Sequence, residues 1–288
     1  MLTFDYFKAV SIDNACELLR QFNDEARLIA GGTDIMVQIR KDDDRLSNMK
    51  HIIDIGDIPE LSYVESKGDT IQLGAGLTHS QALSSALLKE NVPFLVDAVS
   101  SIGSPQIRNR GTFGGNICNA SPASDLIPVL EALGAKLKLK KAGGERIVDV
   151  VNIFETPYKT SLSPDEMIVE ISIEKLPHGT KTAFIKLGYR KAVTIARMNI
   201  AVCVTLENGI ITDTRISTGA VMPTPGRITS AEYILKGFRP TEDLIESAAK
   251  EVSEEMIRRS GYRWSTEYKK PVVQVLAKRA LKKALEVE

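Results

Sequence analysis

The sequence predicts an α+β protein: a small α/β unit, then a β-rich block, then an antiparallel hairpin backed by helices. Three observations predict it. Helix and strand signals alternate over the first stretch of about 55 residues. Strict apolar alternation bounded by Gly-rich turns marks the middle of the chain. An Asn208-Gly209 turn between two apolar runs, followed by amphipathic helices, marks the last third.

Ser11 and Asp13 are capping residues for a helix through Cys16-Glu-Leu-Leu-Arg20. Arg27-Leu-Ile-Ala30 is a short apolar strand ending in Gly31-Gly32, and Thr33 caps a second helix carrying Ile35, Met36 and Ile39. His51-Ile-Ile-Asp-Ile55 is another strand. Residues 61–65 and 70–74 flank Lys67-Gly-Asp69 as a hairpin. Thr78-His-Ser-Gln81 fits a capping box, so a helix follows through Leu88, and a second covers 94–99. After two glycine-rich loops in all, an apolar helix spans 126–133. Lys136-Leu-Lys-Leu-Lys140 alternates and turns at Ala142-Gly-Gly144 into Ile147-Val-Asp-Val150. A boundary falls near Leu176-Pro-His-Gly179. Beyond it come the hairpin of 200–206 and 210–218, a break at Met222-Pro-Thr-Pro-Gly226, and helices at 229–236, 241–258 and 268–286. No internal repeat or low-complexity segment interrupts this order.

Composition excludes several classes. Lys+Arg and Asp+Glu are both 37, so the net charge is zero, which argues against a general nucleic-acid binder. Three cysteines, Cys16, Cys118 and Cys203, are too few and too scattered for a disulfide framework or an iron–sulfur cluster, and they point to a reducing compartment. Together with His51, His79 and His178 they offer no ligand spacing, so no metal site is expected. The N-terminus has no basic-then-apolar leader and no run reaches about 18 apolar residues, so the expectation is a cytoplasmic chain with no membrane insertion.

Two loops carry chemistry. Ile29-Ala-Gly-Gly-Thr-Asp34 joins a strand to a helix, where adjacent glycines let backbone N–H groups approach a phosphate. The plain alternative is a tight turn. Gly111-Thr-Phe-Gly-Gly-Asn116 adds Thr112 and Asn116 beside bare N–H groups, nest-like chemistry for a pyrophosphate. Asp125, at the start of an apolar helix, is either a helix cap or a carboxylate for ribose hydroxyls. Gly74-Ala-Gly76 mimics a dinucleotide fingerprint, but position 79 is His and the preceding run is a hairpin. No nucleophile motif is present, and no catalytic residue is expected. His79 reads as a first-turn surface residue and Cys118 as a small buried one. Lys186, Tyr189 and Arg190 read as a polar cluster on a strand, and the basic C-terminal helix as a solvated face.

Two Gly-Gly loops about 80 residues apart, each after a strand, are more specific than either alone. With Ser104-Pro-Gln-Ile-Arg-Asn109, Asn119-Ala-Ser-Pro-Ala-Ser-Asp125, Asp165-Glu-Met-Ile168 and Ala220-Val-Met-Pro-Thr-Pro225, the whole chain resembles the FAD-binding medium subunit of the molybdenum hydroxylases, the xanthine dehydrogenase and carbon monoxide dehydrogenase group. The resemblance implies a PCMH-type FAD-binding fold of two α/β subdomains, about 1–56 and 57–176, with a C-terminal domain over 177–288. It implies that Leu28, Ile29, Ala30, Gly31, Gly32, Thr33, Asp34 and Ile35 wrap the FAD pyrophosphate, with Thr112, Phe113, Gly114, Gly115 and Asn116 opposite. Asp125 would take ribose or ribityl hydroxyls, Ile102 and Ile168 would contact the adenine or isoalloxazine end, and Lys186 and Tyr189 would lie at the flavin ring.

Position 113 is Phe where the family often has Ile, Val or Tyr, which should alter flavin packing. Relatives that tether FAD do so through a His in the first loop; Thr33-Asp34 stands there instead, so binding is expected to be noncovalent. The inserted cysteines of the benzoyl-CoA-type reductases are absent. The implied role is electron transfer. A large molybdenum-cofactor subunit hydroxylates substrate, [2Fe–2S] clusters on a small subunit relay electrons to FAD, and NAD⁺ or another acceptor receives them. The alternatives are a stand-alone flavin oxidoreductase and a flavin-free scaffold.

Overall fold

The computed structural model describes residues 3–190 and 192–286. Lys191, at the edge of the expected polar cluster, lies outside them, as do Met1, Leu2, Val287 and Glu288. The chain opens with β1 (Asp5–Lys8), α1 (Ile12–Phe22), β2 (Ala26–Ile29), α2 (Ile35–Arg40) and β3 (His51–Asp54). The three strands form a parallel sheet in the order β1-β3-β2. Ser11 caps α1 through its hydroxyl, as its position predicts. Thr33 does not cap α2: Asp34 holds that position, without a side-chain cap bond.

The middle of the chain runs through β4 (Val64–Lys67), β5 (Thr70–Gly74), α3 (His79–Ser84), α4 (Ala86–Asn91), α5 (Pro93–Ser100), α6 (Pro105–Arg110), α7 (Phe113–Asn119) and α8 (Leu126–Ala132). It continues through β6 (Lys136–Lys141), β7 (Gly144–Asp149), β8 (Phe154–Thr156), β9 (Lys159–Thr160) and β10 (Met167–Glu174). Thr78 and Gln81 close the capping box, but the helix stops at Ser84 because Ser85 turns extended and caps α4. The sheet order is β4-β5-β10-β6-β7, antiparallel throughout. Its central strand, β10, had no separate sequence signal. Its apolar residues are consecutive only at 167–169, where Met167 and Val169 pack against the first unit and Ile168 against the second core. Past a register shift between Ile168 and Glu170, Ile171 and Ile173 face the second core and alternate with Glu170, Ser172 and Glu174. Gly74 and Gly76 are packing residues: a Cβ at Gly74 would lie 2.2 Å from the Leu61 carbonyl oxygen. With antiparallel neighbours on both sides, β5 is no part of a dinucleotide-binding βαβ unit.

The last third holds β11 (Thr180–Leu187), β12 (Met198–Glu207), β13 (Ile210–Gly219), β14 (Gly226–Arg227), α9 (Thr229–Leu235), α10 (Glu242–Ser260) and α11 (Thr266–Leu285). The strands form one antiparallel sheet in chain order. Asn208 and Gly209 both take positive φ, at 52° and 76°, as the two-residue hairpin turn requires. One face of this sheet packs on α9, α10 and α11 in an apolar core. The other meets α5 and α8.

Glu131 sits on that seam. It is 2% exposed, accepts a hydrogen bond from Ser217 on β13, and leaves Oε1 without a partner. Burial pushes its carboxyl up to about 7, against the pull of Ser217, Arg259 and Arg227. A carboxyl raised on folding contributes stability below its unfolded pKa, and that contribution is lost as pH rises through about 7. Thermal melts between about pH 5 and pH 8 should therefore show wild type losing several degrees more than Glu131→Gln, at about 2–4 °C per kcal/mol. Parallel melting curves for the two proteins would contradict this.

Candidate FAD-binding site

The first glycine loop leaves β2 and enters α2. Gly31 carries its backbone onto the end of α6: a Cβ there would lie 1.8 Å from the Arg110 carbonyl oxygen. Gly32 has a φ of +73°, which favours glycine. Among the described residues, the N–H groups of residues 31–35 donate to no backbone or side-chain acceptor. An open hollow of about 200 Å³, lined by Thr33, Asp34, Gln38 and Asn119 among others, borders this run of amides. Unpartnered amides close together in the chain fit the oxygens of a phosphate. Asn119 donates to Asp34 at 3.0 Å and so ties the loop to the end of α7.

The second stretch is a helix start rather than a bare loop. Thr112 caps α7 by accepting from the Gly115 N–H at 3.1 Å. The Phe113 and Gly114 N–H groups donate to Leu77 and Ala75 carbonyls. The expectation of bare N–H groups here is thus corrected: those of 113–115 are already taken. Gly114 is needed because a Cβ would come within 2.9 Å of the Ala75 carbonyl oxygen. Gly115 is different. It is exposed, and a Cβ there would meet only the Thr112 hydroxyl, at 2.9 Å.

A chain of buried polar groups leads away from α7. Ser124 donates to the Asn116 side-chain oxygen at 2.6 Å and caps α8 by accepting from the Leu126 and Ile127 N–H groups. Asp125 is therefore not the capping side chain. Its Oδ2 accepts from Lys186 at 2.5 Å and its Oδ1 from Asn199 at 2.8 Å. Lys186 also donates to the Ser101 carbonyl at 2.9 Å. Burial raises the Asp125 carboxyl above the ordinary range, while Lys186, Asn199 and Ser101 pull it back.

Comparison with known proteins decides the family of the chain. Residues 2–176 match the family model of the FAD binding domain in molybdopterin dehydrogenase, and residues 183–284 match that of the CO dehydrogenase flavoprotein C-terminal domain. The chain belongs to the FAD-binding flavoprotein family of the molybdopterin dehydrogenases. Among its relatives, the glyceraldehyde dehydrogenase medium chain of Sulfolobus acidocaldarius is 33% identical, over 97% of each chain. The xanthine dehydrogenase FAD-binding subunit of Escherichia coli O157:H7 is 30% identical, over 97% of this chain and 95% of that one. A carbon monoxide dehydrogenase structure from Hydrogenophaga pseudoflava superposes with a TM-score of 0.92 at 31% identity, covering 99% of this chain and 98% of that one. The flavoprotein is a subunit of an FAD-dependent oxidoreductase, FAD is its cofactor, and its fold is the expected one.

The flavoprotein fold brings most of the expected residues together. Leu28, Ile29, Ala30 and Ile35 frame the first loop from below: Leu28 and Ile29 pair with β3, and the Ala30 carbonyl lies close to Gly56. Ile102, half-buried, follows Ser101 and is held by Arg108, which donates to its carbonyl at 2.8 Å. Three residues stand differently. Phe113 is fully buried in the second core, so its side chain offers no exposed atom to a cofactor. Ile168 is 4% exposed and pairs with Leu139 inside the sheet. Tyr189 is 80% exposed, and the Arg197 guanidinium stacks between its ring, 4.5 Å away, and that of Tyr268, 4.6 Å away.

Two readings outside the loops are also corrected. His79 is buried, not on the surface: its ring packs 5.5 Å from that of Phe113 and its Nδ1 has no partner. Burial, reinforced by Arg108, pushes it down to about 4, so it is neutral at physiological pH. Cys118, on α7, is exposed rather than buried. Residue-by-residue reading missed Asn199, Ser101 and Arg110. Asn199 alone left a trace, as an amide inside an otherwise apolar strand.

Proposed function

We propose that this chain is the electron-transfer flavin subunit of a molybdenum hydroxylase. It accepts electrons from [2Fe–2S] clusters on a small partner chain, which is in turn reduced by a large molybdenum-cofactor chain. It passes them to NAD⁺ or another acceptor. The observation that carries this reading is the end-to-end likeness, at 97% of each chain, to a protein named as a medium chain. Bound FAD supplies the redox chemistry; the protein supplies binding, orientation and electrostatics.

In this reading the unpartnered amides of residues 31–35 hold the pyrophosphate, with Thr112 and Asn116 across from them. Gly31 lets the two loops touch, and Gly115 leaves room for the phosphates. Asp125 and Lys186 form the polar wall toward the flavin ring, with Ile102 and Tyr189 at its margin. Binding is noncovalent. We also propose the division into an FAD-binding domain over 1–176, in subdomains of about 1–56 and 57–176, and a C-terminal domain over 177–288. A cytoplasmic location is proposed with it, supported by three free thiols. No helix among the described residues is long and apolar enough to cross a membrane.

The test is the visible spectrum of the purified chain after FAD is added and the excess removed. A bound-flavin spectrum without iron–sulfur absorbance, followed by flavin reduction through co-expressed partner chains, is the expected result. Turnover of a small organic substrate by the isolated chain would overturn the electron-transfer role.

A further inference from the structure

The C-terminal sheet places three residues in one cross-strand row. Lys186 on β11 pairs with Asn199 on β12, which pairs with Gly219 on β13. The row faces the start of α8. Asn199 is 0% exposed, and its one amide nitrogen donates twice, to the Ser124 carbonyl at 3.0 Å and to Asp125 Oδ1 at 2.8 Å. Its Oδ1 has no partner. The fit is tight: a Cβ at Gly219 would lie 2.3 Å from that oxygen. A buried amide that leaves one end unsatisfied to hold a carboxylate with the other costs stability, and a strand core could be filled more cheaply by leucine.

We infer that Asn199 is a positioning residue for the cofactor site: it fixes Asp125 so that the carboxylate's other oxygen holds Lys186 at the flavin end. Through Ser124, whose hydroxyl reaches Asn116 at 2.6 Å, it also registers the C-terminal sheet against α7. The inference rests on the proposed placement of Asp125 and Lys186 beside the flavin. The groups that face the carboxylate are Lys186 from β11, Asn199 from β12 and Ser101 at the end of α5.

Removing the amide takes one of the donors that keep Asp125 ionised. Burial then favours the protonated acid at higher pH, and protonation releases Lys186 from its ion pair. FAD affinity should therefore acquire a pH dependence that the wild type lacks.

The experiment is an FAD titration of the full chain at several pH values between about 6 and 8, with Asn199→Leu, Asn199→Ser and Lys186→Met beside wild type. Asn199→Ser serves where the leucine variant does not fold. The expected result is about ten- to hundredfold weaker FAD binding in the Asn199 variants, growing as pH falls, with a flat wild-type profile. Equal weakening at every pH would mean a merely structural role and overturn the inference. So would wild-type affinity in the Asn199 variants while Lys186→Met binds FAD poorly. Wild-type affinity and spectrum in Lys186→Met would instead overturn the placement of the pair at the flavin, and the inference with it.

Discussion

Gly115→Asp is expected to give a folded chain that retains no FAD. The position is exposed on the third residue of α7, and the new Cβ meets only the Thr112 hydroxyl. An acidic residue in the first turn of a helix is compatible with its dipole, so folding should tolerate the change. The cofactor site should not. The carboxylate would stand where the proposed pyrophosphate lies, and like charges about 4 Å apart repel by about 1 kcal/mol in water and about 4 kcal/mol at a protein surface. Summed over two phosphates, with the lost space added, the affinity should fall by at least about a thousandfold. Circular dichroism would report the fold and absorbance after gel filtration the flavin content. One flavin per chain in the variant would disprove the site.

Gly31→Ala should fail in the opposite way, through the fold first. The added methyl would have to lie 1.8 Å from the Arg110 carbonyl oxygen and 2.5 Å from its carbon. Both are backbone, so neither can swing aside as a flexible side chain would. Separating the loops breaks the contact between the first unit and α6, at a cost of about 3–5 kcal/mol, the range of severe core changes. A chain of this length should lose about 10 °C or more in Tm. Gly144→Ala, with nothing within 4 Å of its Cβ, is the matched control and should be nearly neutral. Equal Tm values for the two variants would contradict the role assigned to Gly31.

Local signals in the sequence were readable wherever one residue settles the structure. The Asn208-Gly209 turn, the Thr78 capping box and the Ser11 cap depend on backbone geometry that a few side chains impose. The first Gly-Gly loop was legible for the same reason. What stayed hidden depends on partners distant in the chain. β10 was obscured because the unbroken apolar run at 167–169 and the register shift between Ile168 and Glu170 interrupt its period, leaving a short alternation from Val169 to Glu174. Bare amides were expected in the loop 111–116, but Leu77 and Ala75 supply acceptors for those of 113 and 114 from a segment 36–39 residues away, and Thr112 takes that of 115. Asp125 looked like a cap from its place at the start of an apolar helix, whereas Ser124 supplies the capping oxygen. Asn199 makes sense only once β12 is set against α8.

Glu131 and His79 move protons in opposite directions when the chain folds. Between about pH 4.5 and 6.5, the folded state holds a proton on Glu131 that the unfolded chain has released. Over the same interval His79 lacks one that the unfolded chain carries. At these two residues folding therefore relocates a proton, from an imidazole beneath α7 to a carboxyl under the C-terminal sheet, with little net uptake from solvent. Outside that interval the cancellation fails on each side for a different reason. Acid resistance is limited in the half that holds the cofactor loops, and alkaline resistance at the seam with the C-terminal sheet.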